Sequence, residues 1–472
     1  MFEDEDELYD AQFNSELERF EEMIKSQKAY YFDPEILERI VDHFIIKNQL
    51  KKALDAIEFA KNQHPSCLVF DLRKAQIFST TGKLKESLLI LQDLEKIDPF
   101  NTEIFITKAS VFSQLRDHAK AIKYYEKAIE TAVEFEEGEE VEDIRFDLAL
   151  EYENIHDFQS AIRVLQQILK SKPQNEAAIY EIAYCYERTG DFDKCIEYYT
   201  RYIDNNPYSF TAWYNLGNIY FLKSNIEKAL WAYDYSTIIN EDFASAHFNM
   251  GNTYMQIADY DKALKAYQKC VEIDGEDALT LSYLAEAYER LEQFEEAMHY
   301  YNKAKEINPE LAEPWLGIGI ILELQGDANQ AINYLSQAVR LQPENSNYRL
   351  VLGEACYNAG RMVEAETELE RALQLDPKYS DAILLLAKIK SEFNEGEALD
   401  FLLNLEHLSE LEPKIRILLV TLLWKSGQKT QALLNFKKEY LLDKESAKTL
   451  FLYLPEAEFI PDFMAIIDTE NE

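Results

Sequence analysis

Apolar and polar positions along this chain follow a beat of 34 residues, and the points that interrupt each apolar stretch are prolines or turn-forming polar residues. Pro65 and Pro99 are 34 apart, as are Pro173 and Pro207, and Pro309, Pro343 and Pro377. Between Pro207 and Pro309 the beat passes through Glu241 and Gly275, both in helix-breaking surroundings. Ten residues after each breaker stands a small residue: Ala75, Ala109, Ala183, Gly217, Gly251, Ala285, Gly319, Gly353 and Ala387. Twelve further on another recurs, at Ala121, Cys195, Ala229, Ala263, Ala297, Ala331 and Ala365. Small residues there let two helix backbones approach, and the large residues between them, such as Tyr186, Tyr220, Tyr254 and Tyr288 or Tyr199, Tyr233, Tyr267 and Tyr301, fill the grooves. Each unit of the beat is therefore predicted to be a helical hairpin. Gly190, Gly326 and Gly360 lie between the two helices, where glycine takes the left-handed conformation that ends a helix.

This pattern resembles the tetratricopeptide repeat family. The segment Trp213-Tyr214-Asn215-Leu216-Gly217-Asn218-Ile219-Tyr220, followed by Ala229, Tyr233 and the breaker at Glu241, carries the likeness best. The resemblance covers roughly residues 35 to 441. It implies an all-α fold, a right-handed superhelical solenoid of antiparallel helix pairs with about twelve hairpins. The organisation expected is an acidic N-terminal segment with a capping helix over 1–33, the repeat array over 34–442, and C-terminal capping helices with an acidic tail over 443–472. Two irregularities interrupt the beat. Pro99 to Pro173 is two periods plus six residues, with the excess in the acidic stretch 134–143, read as an extended turn between repeats; the step to Pro413 is 36 residues. Leu454, Phe459, Ile460, Phe463, Met464, Ile466 and Ile467 are expected to form a last helix over the final repeat's apolar edge.

Composition narrows the function. With 48 Lys and Arg against 87 Asp and Glu, the formal charge is -39, so most of the surface repels phosphate backbones and nucleic acid is not an expected ligand. No apolar run approaches the length of a membrane span, which predicts no membrane partner. The start, Met1-Phe2-Glu3-Asp4-Glu5-Asp6-Glu7, is unlike a secretory leader, and the five cysteines form no disulfide framework. A cytoplasmic location is expected.

No catalytic, cofactor or metal site is read from the residues. The array leaves no stretch for a separate catalytic domain, and the seven histidines form no zinc-binding motif. Gly317-Ile318-Gly319 lies inside a helix and lacks a third glycine. Asp191/Asp193 and Asp259/Asp261 stand in the inter-helix turns, where capping is the expected role. Cys185 and Cys195 are read as packing residues rather than a redox pair.

In a stack of such hairpins the first helices line the concave wall. The candidate peptide groove is Tyr180, Tyr184, Tyr214, Asn215, Asn218, Phe221, Phe248, Asn249, Asn252, Met255, Tyr283 and Glu286. Asn amides donate to and accept from an extended backbone at once, and aromatics supply contact area at low entropy cost. Asp147, Glu153, Glu181, Glu187, Glu286, Glu289, Glu313 and Glu323 on the same wall point to a basic or neutral partner. The resemblance implies binding of a peptide or partner protein there. Members that clamp chaperone carboxylate tails need basic residues where this chain has Tyr214, Leu279 and Tyr283, so that ligand is disfavoured. The function expected is a non-enzymatic interaction scaffold; the alternative is a regulatory or assembly subunit that recruits a separate enzyme.

Overall fold

The computed structural model describes residues 13–23, 30–135, 140–405 and 410–469. The acidic start, residues 136–139 of the acidic stretch, His407 and the last three residues lie outside the described residues. The chain divides into two compact units, Met1–Ala232 and Tyr233–Glu472. Among the described residues the elements are helical, and no helix is long and apolar enough to cross a membrane.

Unit one holds the hairpins Pro34–Ile46 with Leu50–Gln63, Val69–Thr80 with Leu84–Ile97, Thr102–Gln114 with His118–Glu134, Glu140–Asn154 with Phe158–Ser171, and Glu176–Arg188 with Phe192–Asn205, then the helix Phe210–Leu222. Its first hairpin is covered by a helix over 13–23, whose Phe20 and Met23 are buried among Phe32, Leu37, Val41 and Phe44. The excess residues between Pro99 and Pro173 are absorbed mainly by helix. His118–Glu134 runs to 17 residues and Glu140–Asn154 to 15, where the hairpin Glu176–Arg188 with Phe192–Asn205 has 13 and 14.

Unit two holds Ala244–Gln256 with Tyr260–Asp274, Ala278–Arg290 with Phe294–Ile307, Ala312–Leu324 with Ala328–Leu341, Ser346–Asn358 with Met362–Leu375, Ser380–Phe393 with Glu395–Leu403, and Pro413–Lys425 with Lys429–Leu442. The helix Ile226–Ile239 carries the division between units. The pair before Pro413 is the irregular one. A single residue, Asn394, joins its two helices, and its side chain accepts from the Gly396 N–H at 2.9 Å. The end of the chain is capped by short helices and by Pro461–Thr469, whose buried Phe463 packs on Trp424 and Phe436 at ring distances of 4.9 and 5.1 Å. Leu454, Phe459 and Ile460 depart from the expected last helix: Phe459 closes a 3-10 turn, Pro455–Phe459, that the other two flank, and stands 83% exposed.

Each regular hairpin turns in the same way. The residue after the first helix's cap has positive φ, and the next N–H donates to the carbonyl five residues back along the turn, as in Asp191 to Tyr186 at 2.8 Å, Asp259 to Tyr254 at 3.0 Å and Asp327 to Leu322 at 2.9 Å. Glycine supplies that conformation at Gly82, Gly190, Gly326, Gly360 and Gly427, while Asn48, Arg116, His156, Ser224, Ala258 and Glu292 hold it without glycine. Of the turn aspartates, Asp117, Asp157 and Asp327 accept from backbone N–H groups of the second helix. Asp191 and Asp259 do not. Their carboxylates pair instead with Lys194 at 3.1 Å and Lys262 at 2.8 Å, which corrects the capping role expected of them.

The small residues do what close packing requires. A methyl added to Gly251 would lie 2.4 Å from a ring carbon of Tyr267, and one on Gly319 would lie 2.5 Å from Leu335 Cδ2. Where the second small position can donate, it bonds straight across the hairpin: Ser87 Oγ to Ala75 O at 2.7 Å and Cys195 Sγ to Ala183 O at 3.2 Å. The bulky position near the start of the first helix is also a donor position. Trp213 Nε1 and Trp315 Nε1 each donate to the breaker-proline carbonyl six residues back at 3.0 Å, Arg349 Nε does the same, and His247 Nε2 lies 3.1 Å from Glu241 O.

These two constraints predict opposite effects within one hairpin. Ala258→Gly relieves a left-handed alanine and should raise stability by about 1 kcal/mol. Gly251→Ala forces the Tyr267 ring aside and should lower it by about 1–3 kcal/mol. Urea midpoints of the two variants, on either side of the parent, check both.

Candidate functional site

The wall formed by first helices is set by the repeat register: the small residue packs inward, and the residues one after it and two and three before it recur at the same place on each first helix. In unit one, Tyr180, Tyr214, Asn215, Asn218 and Phe221 are half-buried and Tyr184 is 43% exposed. Tyr180 lies against Tyr199 and Tyr202 at ring distances of 5.7 and 6.1 Å, and its hydroxyl meets Thr211 Oγ1 at 2.7 Å, tying two successive first helices together. Tyr184 stands edge-on to Phe158 at 6.5 Å.

Beside these aromatics lies a carboxyl pair. Burial and the adjacent Glu181 push Glu153 up to about 7, and burial raises Glu181 as well; the two share a hydrogen bond. The Cys185 thiol donates to Glu153 Oε1 at 3.4 Å. Burial pushes Cys185 well up and Cys195 to about 12, so neither thiol is poised as a thiolate. Nearer the N-terminus the wall's acids share a base. Arg73 binds Glu38, Asp42 and Glu103 at 3.0, 2.8 and 2.6 Å, joining first helices of three hairpins. His118 Nδ1 lies 2.8 Å from Glu151 Oε2, so this histidine makes a contact between successive hairpins.

In unit two, Phe248, Asn249, Asn252, Met255, Tyr283 and Glu286 are all half-buried. Phe248 meets Tyr283 edge-on at 5.3 Å, and Tyr283 stacks on Tyr267 at 5.8 Å, so the aromatic positions of successive first helices form one cluster. Asn252 is engaged by its own hairpin: its Oδ1 accepts from Tyr267 Oη at 2.7 Å. An Asn ladder that both donates to and accepts from a ligand backbone is therefore incomplete at that rung.

Of the predicted groove residues, Tyr283 and Glu286 line a defined cleft. It has a volume of about 260 Å3 and is walled by Tyr283, Tyr301 and Tyr348, edged by Glu286, Glu289, Glu313, Arg290 and Asn347, with Gly317 among its lining. Tyr301 Oη donates to Glu289 Oε2 at 2.8 Å, and burial raises the Glu289 carboxyl above its ordinary range. Burial and the neighbouring Glu313 push the Tyr348 phenol far up. Sequence reasoning placed Glu289 and Glu313 on this wall but missed Tyr348, Asn347 and the part Gly317 plays. The available signal was that the ladder of residues two before the small one, Asp147, Glu181, Asn215, Asn249, Tyr283, breaks at Gly317. Among the described residues no group of three His, Cys, Asp or Glu side chains could hold a metal ion.

Family models described as tetratricopeptide repeat match residues 102–132, 146–210 and 190–240, 242–310, and 322–389. No curated protein matches the chain. Among solved structures it is similar to the Cut9-Hcn1 hetero-tetramer of the APC/C, at 14% identity over 89% of this chain and 95% of that one with a TM-score of 0.44. It is similar to yeast Tom70 at 16% identity over 84% and 96%, TM-score 0.44. A third likeness is YrrB, described as a protein of the same repeat with an unusual peptide-binding site, at 21% identity over 40% and 96%, TM-score 0.32.

The carboxyl pair predicts a pH dependence. Because Glu153 is raised to about 7 from an ordinary 4.5, the folded protein holds a proton that the unfolded chain releases between those values. Its contribution to stability is therefore present at low pH and lost as pH rises towards and through 7. Glu153→Gln, which needs no proton, should melt above the parent at about pH 8 and lose that advantage at about pH 5, as followed by circular dichroism. An equal difference at both pH values would count against the held proton.

Proposed function

The chain belongs to the tetratricopeptide repeat family, and from that premise we propose that it is a protein-interaction scaffold whose first-helix wall binds a neutral or basic segment of a partner protein. The observation that carries this reading is the uncompensated charge of the wall. Glu153, Glu181, Glu289 and Glu354 are half-buried, their carboxyls are raised by burial, and none of them has an ion pair among the described residues. Half-buried carboxylates without bases are stabilised by any cation that approaches, and they repel an acidic segment. The aromatic side chains interleaved with them, Tyr180 and Tyr184 in one unit and Phe248 and Tyr283 in the other, offer apolar contact to a neutral chain. The recognition is non-covalent. It relies on shape and charge, with no reacting group.

A peptide array probed with the full chain tests this. Neutral and Lys- or Arg-bearing sequences should be retained and acidic ones excluded, with retention weakening as salt shortens the screening length. Tyr184→Ala combined with Tyr283→Ala should reduce retention by about tenfold or more while the circular dichroism spectrum stays the same. Unaltered retention would move the contact off this wall.

A further inference from the structure

The cleft in unit two lies beside a rung of the wall that has no side chain. Two residues before the small position, earlier hairpins carry Asp147, Glu181, Asn215, Asn249 and Tyr283, whereas the hairpin beginning at Ala312 carries Gly317. A methyl at Gly317 would fall 2.1 Å from Tyr301 Cζ. The Tyr301 ring therefore occupies the space a side chain would take and forms the floor of a recess, held there by its hydrogen bond to Glu289. Tyr283 and Tyr348 supply the remaining aromatic surface, and Glu286 and Glu313 stand at the edge.

The polar groups of this recess are unequally satisfied. Glu286 pairs with Arg290 at 3.5 Å, and that arginine is the one basic residue in the lining. Glu313 Oε1 accepts from Gln342 Nε2 at 3.4 Å, while Glu313 Oε2 is buried without a well-formed hydrogen bond, the Tyr348 hydroxyl standing beside that carboxyl. A buried carboxylate oxygen without a well-formed hydrogen bond is costly, and a donor arriving with a ligand removes that cost. A volume of about 260 Å3 lies just under the roughly 300–1,000 Å3 of small-molecule pockets, so it suits one long side chain rather than a secondary-structure element.

Resting on the reading that this wall binds a partner segment, we propose that the Gly317 recess receives one lysine or arginine side chain of that segment. An ammonium or guanidinium group brings several donors for Glu313 and Glu286 and is attracted by the tyrosine faces. An aliphatic side chain would leave Glu313 Oε2 without that donor, and a carboxylate would meet three glutamates.

A randomised peptide library displayed on phage, selected on the full chain, tests the assignment. The parent should enrich Lys or Arg at one position, and Glu286→Gln combined with Glu313→Gln should lower that enrichment by about tenfold while other positions keep their preferences. Glu286→Gln alone, at a partly exposed side chain, serves as the readout if the double variant loses its thermal transition. Peptides enriched with no cationic position, or with a cationic preference that survives these variants, would overturn the recess assignment and leave the wall reading standing. No enrichment by the parent would overturn both.

Discussion

The approach of two helix backbones at one small residue per hairpin is the constraint on which the rest depends. Tyr267 occupies the position where Gly251 would carry a Cβ, and Leu335 does the same at Gly319. Such contact buries backbone against side chain at crystal-like density and sets the register of every other position on both helices. Once the inward residue is settled, the turn must be short, and a short turn between antiparallel helices requires a left-handed residue. That requirement is strong enough to hold Arg116, Ser224 and Glu292 in a conformation that L-residues ordinarily avoid.

The same register creates the wall. Residues at equivalent places on the first helices stand side by side from one hairpin to the next, so their charges and rings interact along the stack within each unit. Near the N-terminus Arg73 pairs with three carboxylates at once and ties three first helices together. Further along, Glu153 and Glu181 meet with no base between them, and burial raises both carboxyls. In unit two Tyr283 and Tyr301 frame an opening beside three glutamates. The difference between these stretches lies in which side chains the register brings together, since the backbone is nearly the same in each.

Much of this was legible in the residues alone. The prolines, the paired small positions and the tyrosines between them predicted helical hairpins, and Gly190, Gly326 and Gly360 marked their turns. Less legible were turns without glycine, because alanine or glutamate carries no signal for a left-handed backbone. His247 is a related case: its side chain stands at the breaker carbonyl as the indole of Trp213 does, a role shared by position and not by residue type. The extra residues after Pro99 looked like a loop because they are acidic, yet Glu134 ends a helix lengthened by its own i to i+4 bonding.

The sequence by itself determined the period, the all-helical class, the inward face of each hairpin and the excess of negative charge, since these follow from local spacing and counting. Tertiary structure alone decided which candidate groove residues are committed to their own hairpin, as Asn252 is to Tyr267, and which line an opening, as Tyr283 and Glu286 do. It also turned Gly317 from an ordinary helical glycine into part of the lining of a recess. The physical reason is that a recess is made by what neighbouring repeats fail to fill. That Tyr301 fills the space beside Gly317 depends on a contact between residues a dozen or more apart, which no local pattern records.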